Sequence, residues 1–308
     1  MIKTLPRPSY MPKYRPRSYK SLSDSGIDTD EELTDSETGI DCDADPSTAI
    51  PAGTIIRIEN EYMTVSVSAP NVLTVVRGTH GSTAMTHTTN QDIYKVVKGD
   101  CVLYLEGQQD PQSSTIRDLS GYNNHGTITG ATRVRLPSGV WVNSFDGTDD
   151  KISMGAPASL EITTAITLMI WVNPTNVTEN IWLMGKGDSD VSYSIRYNWN
   201  KFQLTIASMA DADNYLQVAT ATINTWYLYT GTFNGTNLSI YKNGGIVGTK
   251  DVTLRTIGVI AQTVNIGTTH SASWDFTGKA GLARIFNTAL SATQIAGIFN
   301  QERTLFGI

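Results

Sequence analysis

The sequence predicts an all-β protein whose last two thirds, from about residue 100 to residue 308, fold as an antiparallel two-sheet sandwich. Strand-like runs arrive every ten or so residues, turn-forming pairs separate them, and the composition of 26 Gly, 13 Tyr, 40% apolar and 17% charged residues suits a packed, turn-rich β domain. The clearest strand candidates are TLMIWV at 167–172, SYSIRYN at 192–198, FQLTIAS at 202–208 and WYLYTGTF at 226–233. The last of these runs through Asn234-Gly235-Thr236-Asn237 into LSIYK and then Asn243-Gly244-Gly245, a hairpin with matching turn chemistry. Near the end, LSATQIAGIFNQER sets Ser291 three residues before Gln294 and places Ile295, Ile298 and Phe299 at helical spacing. That pattern predicts a capping box and one short amphipathic helix, expected as a lid on the sandwich edge.

The first hundred residues divide in two. Residues 1–20 carry six basic side chains and no acid, residues 21–45 carry ten acids and no base, and the rest of the chain is left with about -2 of the net -6. With four prolines in the first sixteen positions and no periodic apolar stripe, residues 1–48 read as an extended low-complexity arm, basic then acidic, that is either a floppy tail or a segment that becomes ordered on a partner. Tyr10, Tyr14, Arg15, Arg17 and Tyr19 are its candidate contact residues. Residues 49–99 read as a small β module of short alternating runs (Ile56, Ile58; Met63, Val65, Val67; Leu73, Val75). The nearly neutral body gives no electrostatic case for nucleic acid on the folded domains. No apolar run is long enough to span a membrane, and the N-terminal residues do not read as a secretory signal. Two cysteines, Cys42 and Cys101, set neither a disulfide framework nor a metal knuckle.

Glu61-Tyr62-Met63-Thr64-Val65, Leu73-Thr74-Val75-Val76-Arg77-Gly78 and Gly81-Ser82-Thr83-Ala84-Met85-Thr86-His87 resemble a segment recurring in bacteriophage tail and fibre-associated proteins. A second resemblance covers about residues 100–308. Arg117-Asp118-Leu119-Ser120-Gly121, Asn143-Ser144-Phe145-Asp146-Gly147, Leu168-Met169-Ile170-Trp171-Val172, Gly185-Lys186-Gly187-Asp188 and Trp226-Tyr227 through Gly231-Thr232-Phe233-Asn234-Gly235 are similar in order and spacing to landmarks of the laminin G-like, concanavalin A-like jelly-roll family. The resemblance implies a jelly-roll sandwich. Members of that group often carry an acidic pair before the final strand's end, and this chain has Gly281-Leu282 there, which weakens any calcium site built on those acids.

Catalysis is not expected. Glycoside cleavage needs two opposed carboxyl groups, and the sandwich has no strand of alternating acids; its aspartates fall in turns. The four histidines, His80, His87, His125 and His270, are scattered and make no zinc spacing. Acid clusters at Asp146, Asp149 and Asp150, at Asp188 and Asp190, and at Asp211 and Asp213 are either ordinary turns or oxygen donors for calcium. By the family resemblance the best metal set is Asp118 with Asp146 and Asp150, and calcium is the one cofactor it suggests. Trp199, Tyr215 and Trp274 stand in polar, loop-like surroundings, where each either packs against its own domain or contacts a ligand or partner, and they are the candidate ligand-binding aromatics. The chain is therefore expected to be a non-enzymatic virion structural protein of a bacterial or similar virus, located in the virion and homo-oligomeric. Its arm would anchor to other virion proteins while the jelly-roll faces outward for decoration, assembly or attachment to a host glycan. The alternative is a stand-alone glycan-binding lectin or binding module, since fold does not fix function.

Overall fold

The computed structural model describes residues 19–79, 82–105, 107, 113–188, 192–207, 215–219, 222–252 and 256–308. It divides into a smaller unit, Tyr19–Gly99, and a larger one that includes Asp100–Ile308.

The smaller unit is a six-stranded antiparallel sheet. Its strands are β1 (Tyr19–Asp28), β2 (Gly39–Asp41), β3 (Ile55–Ile58), β4 (Glu61–Ala69), β5 (Val72–Val76) and β6 (Asp92–Lys98), in the order β1-β6-β3-β4-β5-β2. The boundary at residue 48 is thus corrected: the acidic segment is part of this sheet, supplying both of its outer strands. Ile27, Leu33, Ile40 and Cys42 from that segment are buried with Ile56, Met63, Val65 and Leu73 in one core. The acids serve as local acceptors, Glu31 for the Asp41 N–H at 2.7 Å and Asp43 for the Asp28 N–H at 2.9 Å. Tyr19 opens β1, while Tyr10, Tyr14, Arg15 and Arg17 lie outside the described residues.

At the centre of this unit Glu61 is fully buried. Its carboxylate accepts from Arg77 Nε and Nη2, both at 2.8 Å, from the N–H groups of Gly78 (2.9 Å) and Met85 (3.1 Å), and lies 2.9 Å from His87 Nε2. Arg77 Nη1 in turn donates to the carbonyls of Thr34 (2.8 Å) and Glu37 (2.9 Å), binding the acidic segment to the sheet. Glu61, Arg77, Gly78, Met85 and His87, all within the segments that carry the sequence resemblance in this region, are therefore joined in one hydrogen-bonded network.

The larger unit is a sandwich of two antiparallel eight-stranded sheets. In chain order its strands are β7 (Cys101–Tyr104), β8 (Thr115–Ile116), β9 (Gly126–Thr129), β10 (Thr132–Arg135), β11 (Trp141–Asp146), β12 (Lys151–Ser153), β13 (Ile166–Pro174) and β14 (Ile181–Lys186). There follow β15 (Ser192–Asn198), β16 (Lys201–Ala207), β17 (Tyr215–Ala219), β18 (Tyr227–Phe233), β19 (Asn237–Lys242), β20 (Gly245–Asp251), β21 (Val264–Ile266) and β22 (Thr277–Phe286). The first sheet runs β10-β11-β22-β13-β18-β19-β20 with β7 also on β22, and the second runs β17-β16-β15-β14-β21-β12-β9-β8.

Alternation along β13 explains its unbroken apolar run. Leu168, Ile170 and Val172 join the inter-sheet core with Leu183, Ile195 and Leu204, whereas Met169 and Trp171 join a second core on the opposite face. That second core is closed by α1 (Ala292–Glu302), whose capping box at Ser291 and Gln294 forms as expected. The helix covers the outer face of the first sheet, not an edge, because Trp171, Leu228, Leu282 and Phe286 present apolar surface there. Ile295, Ile298 and Phe306 answer it, each such burial contributing roughly 1.5–3 kcal/mol. The Asn243-Gly244 turn between β19 and β20 is left-handed at both residues (φ 51° and 80°) and passes beneath the helix, where a Cβ on Gly244 would meet Phe299 at 3.1 Å.

Candidate functional site

The outer face of the second sheet is polar. Cross-strand partners carry a row from Tyr215 through Thr205, Ser194, Gly185, Asn265, Ser153 and Thr127 to Thr115, crossing all eight strands. Beside it Gln217, Gln203, Arg196 and Trp182 form a second row. Their register puts every one of these side chains opposite the apolar core, because neighbours along each strand alternate faces. Gln203 is the hub. Its side-chain amide lies 2.8 Å from that of Asn198, 2.7 Å from that of Gln217 and 2.7 Å from the Thr205 hydroxyl. The orientation that matches donors to acceptors turns its oxygen to Arg196 Nη2 at 2.7 Å. Arg196, Gln203, Thr205 and Ser194 are all buried, so the floor is a pre-ordered array of donors and acceptors and not a solvated surface.

Residues 268–274 form one wall of this floor. His270 N–H donates to the Gly187 carbonyl (3.1 Å) and Ser271 N–H and Oγ donate to Asp188 (3.0 and 2.9 Å) at one end of β14; Trp182 N–H donates to the Trp274 carbonyl (2.7 Å) at the other. Asn265 Nδ2 donates to the Thr269 carbonyl at 3.2 Å, which places the excursion over the outer face. Burial would raise the Asp188 carboxyl, but the Ser271 N–H, the Ser271 hydroxyl and the Thr269 hydroxyl hold it below its ordinary range. Ala272 (φ 56°) and Trp274 (φ 64°) are both left-handed, a conformation that costs an L side chain about 1–2 kcal/mol. Such strain persists where the surroundings over-determine a functional loop.

All three sequence-predicted aromatics belong to this region. The Trp274 ring stacks on the Arg196 guanidinium, 4.8 Å from its carbon. Tyr215 is exposed at the start of β17, with Lys250 5.4 Å from its ring. Trp199, 66% exposed, sits at the tip of the β15–β16 hairpin between Asn198 and Asn200. Arg196, Gln203 and Gln217 were not anticipated, although the alternation Ser192, Ser194, Arg196, Asn198 within SYSIRYN carries the signal.

The acids separate into different roles. Asp146, Asp149 and Asp150 form one group with carboxylate oxygens within 4.8 Å of one another. Asp150 is buried and its carboxyl is raised, first by burial and then by the charges of Asp146, Asp149 and Asp275, and the backbone N–H of Asp146 offsets this only in part. A hard cation suits such a donor set. Asp118 is not among them, which corrects its assignment as a ligand. It is buried and saturated: Oδ1 accepts from the N–H groups of Tyr104 (2.8 Å) and Ser120 (2.9 Å), and Oδ2 from Ser120 Oγ (2.6 Å) and Asn124 N–H (2.9 Å). Its work is to pin the loop after β8 to β7. Asp190, Asp211 and Asp213 lie outside the described residues.

A family profile described as the concanavalin A-like lectin/glucanases superfamily matches residues 146–296, from the acidic turn into α1. The larger unit is a concanavalin A-like jelly-roll. A search of curated proteins found no match to the chain. Among solved structures, the binding domain of Paraclostridial Mosquitocidal Protein 1 aligns at 17% identity with TM-score 0.51, over 65% of this chain and 52% of its own. The botulinum neurotoxin serotype G binding domain aligns at 15% identity with TM-score 0.51, over 65% and 50%. The serotype D ligand-binding domain, in complex with N-acetylneuraminic acid, aligns at 16% identity with TM-score 0.51, over the same shares. This chain thus spans about half the length of each, and at such identity the likeness is one of fold. Within the jelly-roll, the position of the family's acidic pair is filled by Gly281 and by Leu282, whose side chain is buried under the helix in a left-handed bulge (φ 47°). Among the described residues no long apolar helix crosses a membrane.

Proposed function

We propose that the jelly-roll is a non-catalytic glycan-binding module, and that the chain displays it on a virion. The observation that supports glycan binding is the Gln203-centred array bordered by Trp274, Tyr215 and Trp199: sugars are held by fixed donors and acceptors beneath an aromatic face. The complex of the serotype D neurotoxin domain with N-acetylneuraminic acid is in keeping with this reading. Asp146, Asp149 and Asp150 are the residues that would hold a calcium ion beside the sandwich. A glycan array probed with the full chain tests the module. At least one class of sugar should be captured, and Trp274→Ala and Tyr215→Ala should each weaken capture at least about tenfold with an unchanged circular dichroism spectrum. An array without any bound sugar would overturn it.

The virion reading is supported by the separated basic and acidic blocks and by the likeness of residues 61–87 to phage tail modules. Because residues 19–48 are part of the folded unit, the arm to remove is residues 1–18, which hold Tyr10, Tyr14, Arg15 and Arg17. Deleting them should abolish co-sedimentation with particles while leaving the jelly-roll folded. Unchanged incorporation would sink the anchoring role.

A further inference from the structure

Trp274, the half-buried aromatic of the proposed site, has a backbone that bulky L residues rarely adopt. It is left-handed (φ 64°), as is Ala272 two residues earlier (φ 56°). Such a residue stays there only where its surroundings fix it. The base of the excursion is closed by backbone, with Phe276 N–H donating to the Gly267 carbonyl (2.8 Å) and Trp182 N–H to the Trp274 carbonyl (2.7 Å). Its interior is wired by hydroxyls instead. Ser273, the residue before Trp274, donates its N–H to Thr269 Oγ1 at 3.1 Å, sets its own Oγ 3.0 Å from the same atom, and accepts from Thr268 Oγ1 at 3.2 Å through its carbonyl. Ser271 Oγ lies 3.4 Å from Thr269 Oγ1.

Each of these hydroxyls both donates and accepts, so the chain of them has no direction of its own. Asp188, two residues past the end of β14, supplies one. An ionised carboxylate only accepts, and Oδ1 takes both the Ser271 N–H (3.0 Å) and the Ser271 hydroxyl (2.9 Å), while the Thr269 hydroxyl bonds the same group. With those protons committed to Asp188, the Thr269 oxygen is left to accept from Ser273 N–H, and bonds to a charged acceptor are roughly twice as strong as neutral ones. We infer that Asp188 is the positioning residue of the glycan site: through Ser271, Thr269 and Ser273 it holds Trp274 in the left-handed backbone that lays its ring over Arg196. In this role it acts on the sugar only by way of Trp274. The role rests on the glycan-binding reading above and names what sets the geometry of its aromatic wall.

Full chains carrying Asp188→Ala, Trp274→Ala or both changes decide it on the glycan array, with acrylamide quenching of tryptophan emission as a second readout. Asp188→Ala should weaken capture at least about fivefold, and the double variant should be no weaker than Trp274→Ala alone, because a residue that acts through another is not additive with it. Acrylamide should quench Asp188→Ala more strongly than the parent. The chain has six tryptophans, so the assignment comes from a Trp274→Phe background, in which that difference should vanish. Asp188→Asn keeps the volume and one accepting oxygen; it should fall between the parent and Asp188→Ala, and it keeps the test valid if the alanine variant is unstable. Losses that multiply in the double variant, or capture and quenching equal to the parent's, overturn the inference and leave the glycan-binding reading standing. The Trp274 backbone would then be held by the Trp182 and Phe276 hydrogen bonds alone. An array on which the parent captures no sugar overturns both readings.

Discussion

Replacing Glu302 with Gln should lower the unfolding free energy of the jelly-roll by about 3–5 kcal/mol, because it strands a buried arginine. Glu302 and Arg284 are ion-paired, and both side chains are all but fully buried. Glu302 also accepts from Trp171 Nε1 at 2.8 Å, and the Arg284 guanidinium lies 4.2 Å over the Tyr104 ring. Burial alone would disfavour the guanidinium's charge, but the carboxylate of Glu302 and the neighbouring Tyr104 outweigh it and keep Arg284 charged. Trp171 stacks on Phe306 with 4.0 Å between ring centroids, so the same cluster fastens α1 and the chain's end to the first sheet. Urea denaturation should show a lower midpoint with the slope preserved. A double replacement, Arg284→Met with Glu302→Leu, should recover much of the loss, since a buried pair is often matched by apolar residues of similar volume. A single variant as stable as the parent would mean that the pair is solvated in solution and that α1 is held by its apolar contacts alone.

The sandwich was legible because its signals are local. Asn243-Gly244 meets the left-handed turn that joins β19 to β20, Ser291 and Gln294 cap α1 reciprocally, and the strand candidates at 167–172 and 192–198 lie within β13 and coincide with β15. What escaped the reading depends on distant partners. Ile27, Leu33 and Ile40 follow no period, so nothing near them in sequence shows that β6 and β5 complete their burial. Asp118 looks like a turn acid until Tyr104 N–H and Asn124 N–H are brought to it. The site was half legible on the same grounds. Trp199, Tyr215 and Trp274 announce themselves by their polar neighbours, whereas Arg196 and Gln203 are enclosed by apolar strand residues and acquire meaning only when the register of β15, β16 and β17 places them on one face.

In the smaller unit, Glu61→Gln should be the most damaging single change of a polar residue, again by about 3–5 kcal/mol, since Arg77 loses its buried counter-charge. Burial by itself would raise the Glu61 carboxyl; the Arg77 guanidinium, His87 and the N–H groups of Gly78 and Met85 pull it down to about 2, from an ordinary 4.5. A folded-state value below the unfolded one means that the network stabilises the unit fully above about pH 4.5 and loses that contribution as pH falls through about 2. One group of this kind changes stability by at most about 1.4 kcal/mol per pH unit within that window. Hydrogen exchange of peptides covering residues 77–87 reads it directly, because the Gly78 and Met85 amides both donate to this carboxylate. In the parent chain their protection should fall progressively as the solution is acidified from about pH 4.5 toward pH 2, once intrinsic exchange is corrected for pH. In the Gln variant protection should already be low at neutral pH and should lack that added loss. The Thr34 and Glu37 carbonyls depend on Arg77 as well, so the loosening should extend into the acidic segment around residues 33–38. Equal protection in both chains would mean that the loop after β5 is held by its backbone alone, and that the Glu61 network follows the fold without maintaining it.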